Sequence, residues 1–161
     1  MEQITMFKPP YQYIMDTSSI LSQKPSEPHR RNVYKGQWEK IEESMRDQRI
    51  VTCSEVVEEI KDKDISQWLT KQQCIVLDID EDIQRNVRRI VTEHPKMIEF
   101  TGKNGTSSGD AFLIATAMKY ELTVITEENP DKDTKIPKIC ESYGIKAMNI
   151  TELCEQESWI F

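Results

Sequence analysis

The sequence predicts a three-layer α/β/α sandwich around a mostly parallel central sheet. Three observations predict it. Short apolar runs alternate along the chain with longer stretches whose apolar residues recur at helical spacing. The short runs are apolar throughout, as in strands covered on both faces. The chain has 161 residues, which suits one domain and lets it bury roughly 68–70% of its unfolded surface. Residues 1–161 are therefore read as a single domain. The polar tracts 22–31 (SQKPSEPHRR), 101–109 (TGKNGTSSG) and 127–135 are loops within it, because each side alone is too small to bury a core.

Residues 11–15 (YQYIM) form a buried strand that stops at Asp16. Tyr34, Trp38, Ile41 and Met45 mark an amphipathic helix over 34–48, with Trp38 in its apolar stripe as core and not as a base-stacking platform. Residues 50–51 are a short strand. Thr52-Cys53-Ser54-Glu55 fits a capping box that opens a helix carrying Val56, Val57 and Ile60. A short helix over 65–71, a strand over 74–77 and a helix over 80–92 follow. Asp78 and Asp80 serve as N-cap and first-turn acids of that last helix. Ser107-Ser108-Gly109 leads into a helix over 110–120, then a strand over 122–126 (LTVIT). Pro137 sits near the first turn of a helix over 137–143, with Gly144 just past its end. A last strand over 145–148 and a terminal helix from Thr151 complete the pattern. Right-handed crossovers leave few topologies for such a chain.

Composition excludes several functions. The longest apolar run, AFLIATAM from Ala111, is far short of the ~20 residues that span a membrane. Cys53, Cys74, Cys140 and Cys154 show no CxxC pair, and His29 and His94 lie far from them, so no zinc site is expected. The first residues, MEQITMFKPP, lack the layout of a signal peptide, and a cytoplasmic protein with reduced thiols is the expectation. With 21 Lys+Arg against 28 Asp+Glu the net charge is −7, which taken alone speaks against a nucleic-acid partner.

The informative feature is where certain acids fall. Asp16 closes the first strand, Asp110 begins a helix after the Gly/Ser loop, and Glu127 and Glu128 follow the strand LTVIT. In open α/β sheets these places meet at the rim outside the carboxyl ends of the strands. Glu58 and Glu59 lie on a neighbouring helix, with Glu59 beside the buried stripe. Gathered carboxylates without His or Cys suit Mg²⁺ or Mn²⁺ and the hydrolysis of phosphodiesters. Each acid also has an ordinary explanation: Asp110 as a capping-box acid with Ser107, Glu55 as partner of Thr52, the others as solvated helix or loop charges.

Asp16-Thr17-Ser18 after an apolar strand, Val56-Val57-Glu58-Glu59-Ile60, the stretch Gly109-Asp110-Ala111-Phe112-Leu113-Ile114-Ala115-Thr116-Ala117, and Val124-Ile125-Thr126-Glu127-Glu128 together resemble the PIN-domain nucleases. The VapC-like toxins of bacterial toxin–antitoxin pairs are the nearest group. Lys135 to Cys140 (KIPKIC) and Trp38 and Trp68 suggest a poorly characterised bacterial subfamily. The resemblance implies a metal-dependent endonuclease, with RNA as substrate and an antitoxin as partner, and related toxins are often homodimers. By that resemblance Asp16, Glu59, Asp110 and Glu128 hold one or two Mg²⁺ or Mn²⁺ ions, and Ser18, Thr126 and Glu127 support them. Glu58 and Glu127 remain alternatives for the second and fourth acids. Substrate contacts come from His29, Arg30 and Arg31 in the first loop and Lys103 in the Gly/Ser loop.

A non-catalytic PIN-like module that binds RNA or protein is the competing expectation, and convergence of all four acids discriminates the two. A receiver-type signalling domain, suggested by Asp78 and Asp80, fails for want of paired acids at the first strand and of a Lys after the last. Taking four site charges out of −7 leaves −3, so much of the acid excess belongs to one place and no longer counts against a phosphate partner.

Overall fold

A computed structural model describes residues 9–97 and 107–161. Five parallel strands form one sheet: β1 (Tyr13–Met15), β2 (Ile50–Cys53), β3 (Ile75–Leu77), β4 (Thr123–Ile125) and β5 (Ala147–Met148), in the order β3-β2-β1-β4-β5. Register is set by Ile14, which lies opposite Val51 on one side and Val124 on the other. The central strand is buried on both faces, Ile14 and Met15 being wholly inaccessible. A strand with no polar face requires a helical layer on each side. Those layers come from α1 (Thr17–Leu21), α2 (Lys35–Arg46), α3 (Ser54–Glu59), α4 (Lys63–Lys71), α5 (Glu81–Glu93), α6 (Ser107–Tyr120), α7 (Ile136–Ser142) and α8 (Ile150–Glu157), with a 3₁₀ turn at Pro95–Met97. The three-layer α/β/α architecture is the one expected. Among the described residues no helix is long and apolar enough to cross a membrane.

Local chemistry accounts for most boundaries. Asp80 caps α5 by accepting from the Ile83 amide at 2.9 Å, and Asn149 and Glu152 close a reciprocal capping box at the start of α8. Gly144, at φ +68°, ends α7 in the left-handed region that glycine adopts without strain. One cap differs from expectation. Thr52 is not a cap but the third residue of β2, because pairing with β3 runs on through Cys53 opposite Leu77. Its hydroxyl donates instead to the Met15 carbonyl at 2.9 Å. Cys53 precedes α3 without a side-chain cap bond, so Glu55 has no capping-box partner there. Helix α6 starts at Ser107, which makes Asp110 its fourth residue.

Trp38 fills the space between α2 and the loop after α1. It is fully buried, donates from Nε1 to the His29 carbonyl at 2.6 Å, and meets Trp68 edge-on at 5.8 Å between centroids. Its role is packing, as its helical spacing suggests. Trp38→Ala is expected to cost about 3–5 kcal/mol, read as a lowered urea midpoint; a loss under 1 kcal/mol would show that the ring is not part of the core.

Candidate active site

The sheet order fixes where a site can form. From β1 the chain moves outward through β2 to β3, then returns across the sheet to place β4 on the other side of β1. The reversal lies between β1 and β4, and the crevice at the carboxyl ends of two such strands is where open α/β folds take ligands. Asp16 directly follows β1, and Thr126, Glu127 and Glu128 directly follow β4.

Asp16 is the centre of the arrangement. It is 3% exposed and also caps α1, its Oδ1 accepting from the Ser19 amide at 2.8 Å. Ser18 Oγ lies 2.9 and 2.8 Å from its two oxygens, and Thr126 Oγ1 donates to Oδ2 at 2.6 Å. Burial pushes its carboxyl up to about 6, against the three hydrogen-bond donors that favour the ionised form, while the charge of Glu128 pushes further upward. The same hydroxyls arrange the turn after β4. Ser18 Oγ accepts from the Glu127 amide at 3.0 Å, and Thr126 Oγ1 accepts from the Glu128 amide at 3.1 Å.

The other acids gather around this point. Glu59, at the end of α3, accepts from Thr17 Oγ1 at 2.5 Å. Burial raises its carboxyl and Glu128 adds to the rise. Asp110, on α6, is pushed up by desolvation first and then by the charges of Glu128, Asp16 and Glu59, with Lys135 acting in the opposite direction. Glu128 accepts the Ile136 amide at 2.9 Å through Oε1. Gly109 explains how α3 and α6 approach. A Cβ there would overlap the Glu59 carboxylate, so this acid rests against the α6 backbone one residue before Asp110. Of the two candidates, Glu59 lies against Gly109 beside Asp110, and Glu58 is exposed.

Several expected residues are engaged elsewhere. Glu127 turns away from the acids: Oε2 accepts the Ile150 amide at 2.9 Å and Oε1 meets His29 Nε2 at 3.2 Å. His29 is buried, with Gln37 at its other ring nitrogen, and is no surface contact. Arg31 is also no free phosphate ligand. Its guanidinium pairs with Glu42 at 2.7 Å, bonds Gln23, and lies against the rings of Trp38 and Trp68. Arg30 is exposed, its Nε donating to the Glu27 carbonyl at 3.1 Å. Lys103 lies outside the described residues. Three participants escape sequence reasoning: Thr17, Gly109 and Cys140. Cys140 is buried within reach of the charges on Asp16, Glu128 and Asp110, and burial pushes its thiol up to about 12. Only Gly109 carried a readable signal, since a glycine one position before the helix acid lets another chain segment come close.

The donor chemistry fits a hard divalent cation: four carboxylates, several buried oxygen donors and no histidine. The spacing is looser than a closed cage. Among the described residues no three His, Cys, Asp or Glu side chains lie close enough to hold one ion. Glu128, Asp16 and Glu59 are near enough for their charges to raise the Asp110 carboxyl, yet Glu59 is drawn to Thr17 and Glu128 to the Ile136 amide. Mg²⁺ needs only one or two carboxylates and completes its shell with water.

Comparison with solved structures places this architecture among known ones. The chain is similar to the crystal structure of PAE2754 from Pyrobaculum aerophilum, with a TM-score of 0.55 and 14% identity over 92% of this chain and 90% of that one. It is also similar to the crystal structure of VapBC2 from Rickettsia felis bound to a DNA fragment from their promoter, with a TM-score of 0.51 and 18% identity over 85% of this chain and 97% of that one. At these identities the likeness is one of fold, the PIN-like three-layer sandwich. No curated protein matches the sequence significantly. Residues 13–161 match the model of DUF4411, a domain of unknown function, and the chain belongs to that family.

Proposed function

We propose that this chain is a metal-dependent endonuclease that hydrolyses phosphodiester bonds of RNA and is the toxin of a bacterial toxin–antitoxin pair. One observation carries the reading: acids from four separate segments lie around the strand-order reversal, where the charge of Glu128 acts on Asp16, Glu59 and Asp110 and raises all three carboxyls. Like charges held together in a half-buried crevice are costly unless a cation neutralises them. The fold likeness to VapBC2, whose crystal structure contains DNA from its own promoter, supports an antitoxin partner and a nucleic-acid ligand.

Asp16 and Asp110 would hold Mg²⁺ or Mn²⁺, with Glu59 and Glu128 beside them. When bound, the ion supplies an acidified water as nucleophile and positive charge for the leaving oxygen. Thr126, Ser18 and the Ser19 amide fix the Asp16 carboxylate and favour its ionised form. Glu128 holds its place through the amide of Ile136 and keeps its second oxygen for the site. Glu127 does no chemistry in this scheme; through His29 and the Ile150 amide it fixes the turn on which Glu128 stands.

Asp16→Asn and Asp110→Asn are each expected to lower Mn²⁺-dependent cleavage of single-stranded RNA at least a hundredfold, with the far-ultraviolet circular dichroism unchanged. Full activity in both variants would leave a binding module as the better reading. A second expectation concerns pH. Raised carboxyl pKa values mean that the metal-free fold is favoured below their ordinary value near 3.8, and that this advantage is lost as pH rises through the folded values, about 6 for Asp16. Metal-free Asp110→Asn should therefore melt roughly 3–6 °C above wild type at pH 8, and the difference should vanish near pH 4. A melting gap independent of pH would contradict the assigned repulsion. Gly109→Ala is expected to leave the melting temperature unchanged or raised, alanine being the better helix former by about 1 kcal/mol. It should nonetheless reduce cleavage more than tenfold, because the flexible Glu59 carboxylate must move aside; undiminished turnover would show that Glu59 is dispensable.

A further inference from the structure

The acid site has a missing counterpart. A phosphodiester is an anion, and the rim that would receive it is formed by carboxylates. Divalent ions offset those charges but leave little surplus to draw the substrate in, and attraction of phosphate rests on Lys and Arg. In the first loop Arg31 is tied to Glu42 between two tryptophans, Lys24 pairs with Asp62 at 3.5 Å, and Arg30 donates to the Glu27 carbonyl of its own loop. Elsewhere Arg49, Lys119 and Lys138 are also in ion pairs.

Lys135 differs in its place, next to the amide that binds Glu128. It is the N-cap residue of α7, exposed, and in no ion pair among the described residues. Its backbone is fixed on both sides. Its own amide donates to the Lys132 carbonyl at 3.1 Å, and the next amide, that of Ile136, donates to the Glu128 carboxylate at 2.9 Å. Beyond it Ile136, Ile139 and Cys140 are buried and anchor the helix. The ammonium is thus carried on a flexible stem from a rigid point one residue away from the amide that binds a site acid. Its charge reaches Asp110, favouring the ionised carboxylate against three neighbouring acids. The segment KIPKIC, conspicuous in the sequence and otherwise without a function, is the device that presents it.

We infer that Lys135 contacts the phosphate of the nucleic-acid substrate at the acid site, as its cationic partner at the rim. A compact ammonium suits a phosphate approached as a point charge. The inference rests on the nuclease reading, and the experiment separates the two. Cleavage of a single-stranded RNA oligonucleotide is measured with Mn²⁺ across a salt series for wild type, Lys135→Ala and Lys135→Arg, alongside Mn²⁺ binding by calorimetry. Lys135→Ala is expected to raise KM about tenfold with kcat within threefold. It should also reduce the dependence of log(kcat/KM) on log[salt] by about 0.7, the signature of one lost contact to a single strand. Lys135→Arg should bring KM back within threefold, and Mn²⁺ affinity should not fall in either variant. An unchanged KM and salt slope in Lys135→Ala would overturn this inference alone, as would a loss of Mn²⁺ affinity that matches the loss of activity. A wild-type protein that cleaves nothing with Mn²⁺ overturns the nuclease reading and this inference together.

Discussion

The structure depends on keeping one carboxylate, Asp16, out of water at the end of the central strand. At 3% exposure an ionised acid is unfavourable unless donors replace its hydration. The chain supplies them from both flanks of the strand-order reversal: Ser18 and the Ser19 amide from α1, and Thr126 from the end of β4. Those donors are themselves held. Ser18 takes the Glu127 amide and Thr126 takes the Glu128 amide, so one buried charge organises the turn from which the next two acids project. Removing the hydroxyls would release more than a single hydrogen bond, because the network shares its members.

Glu127 and Glu128 show how adjacent acids divide once that turn is fixed. Successive residues leaving a strand point to opposite sides. Glu127 goes toward α8 and the buried His29, where the Ile150 amide and the imidazole satisfy it. Glu128 goes toward α7 and the other carboxylates, where the Ile136 amide satisfies one oxygen only. The residue with complete protein partners is structural. The one left partly open belongs to the crevice.

Much of this was legible in the sequence because it follows from periodicity and from strand ends. Unbroken apolar runs gave the parallel sheet, and an acid closing such a run pointed to the rim. The boundaries were less legible. Strands of two to four residues are set by ladder pairing with chain distant in sequence, which is why Thr52 belongs to β2 despite its capping-box spacing. The first-loop arginine misled for a related reason. Arg31 in a polar loop has the composition of a phosphate ligand, but Glu42, Trp38 and Trp68, brought together only by folding, claim its guanidinium. Glu59 over Glu58 could be argued from the neighbouring Ile60, and Gly109 would have supported it. The closeness of α3 and α6 that makes Gly109 informative is a tertiary fact.

The charge balance takes its meaning from this geometry. An excess of acid spread over a surface aids solubility and costs little. Here four acids are gathered where burial raises Asp16, Glu59 and Asp110 above their ordinary values and where Asp110 feels three like charges at once. A fold needing only caps and turns would let water screen such groups, as it screens Asp82 and Glu141 on their exposed helix faces. Holding them together instead spends stability at one crevice, the pattern of a site arranged for a charged ligand and not for the fold alone. The net charge therefore says little about the partner, and the placement of four of its charges says more. A cation that offset those acids would lift the repulsion a phosphate meets there, so an excess of acid placed in this way does not itself exclude a phosphate partner.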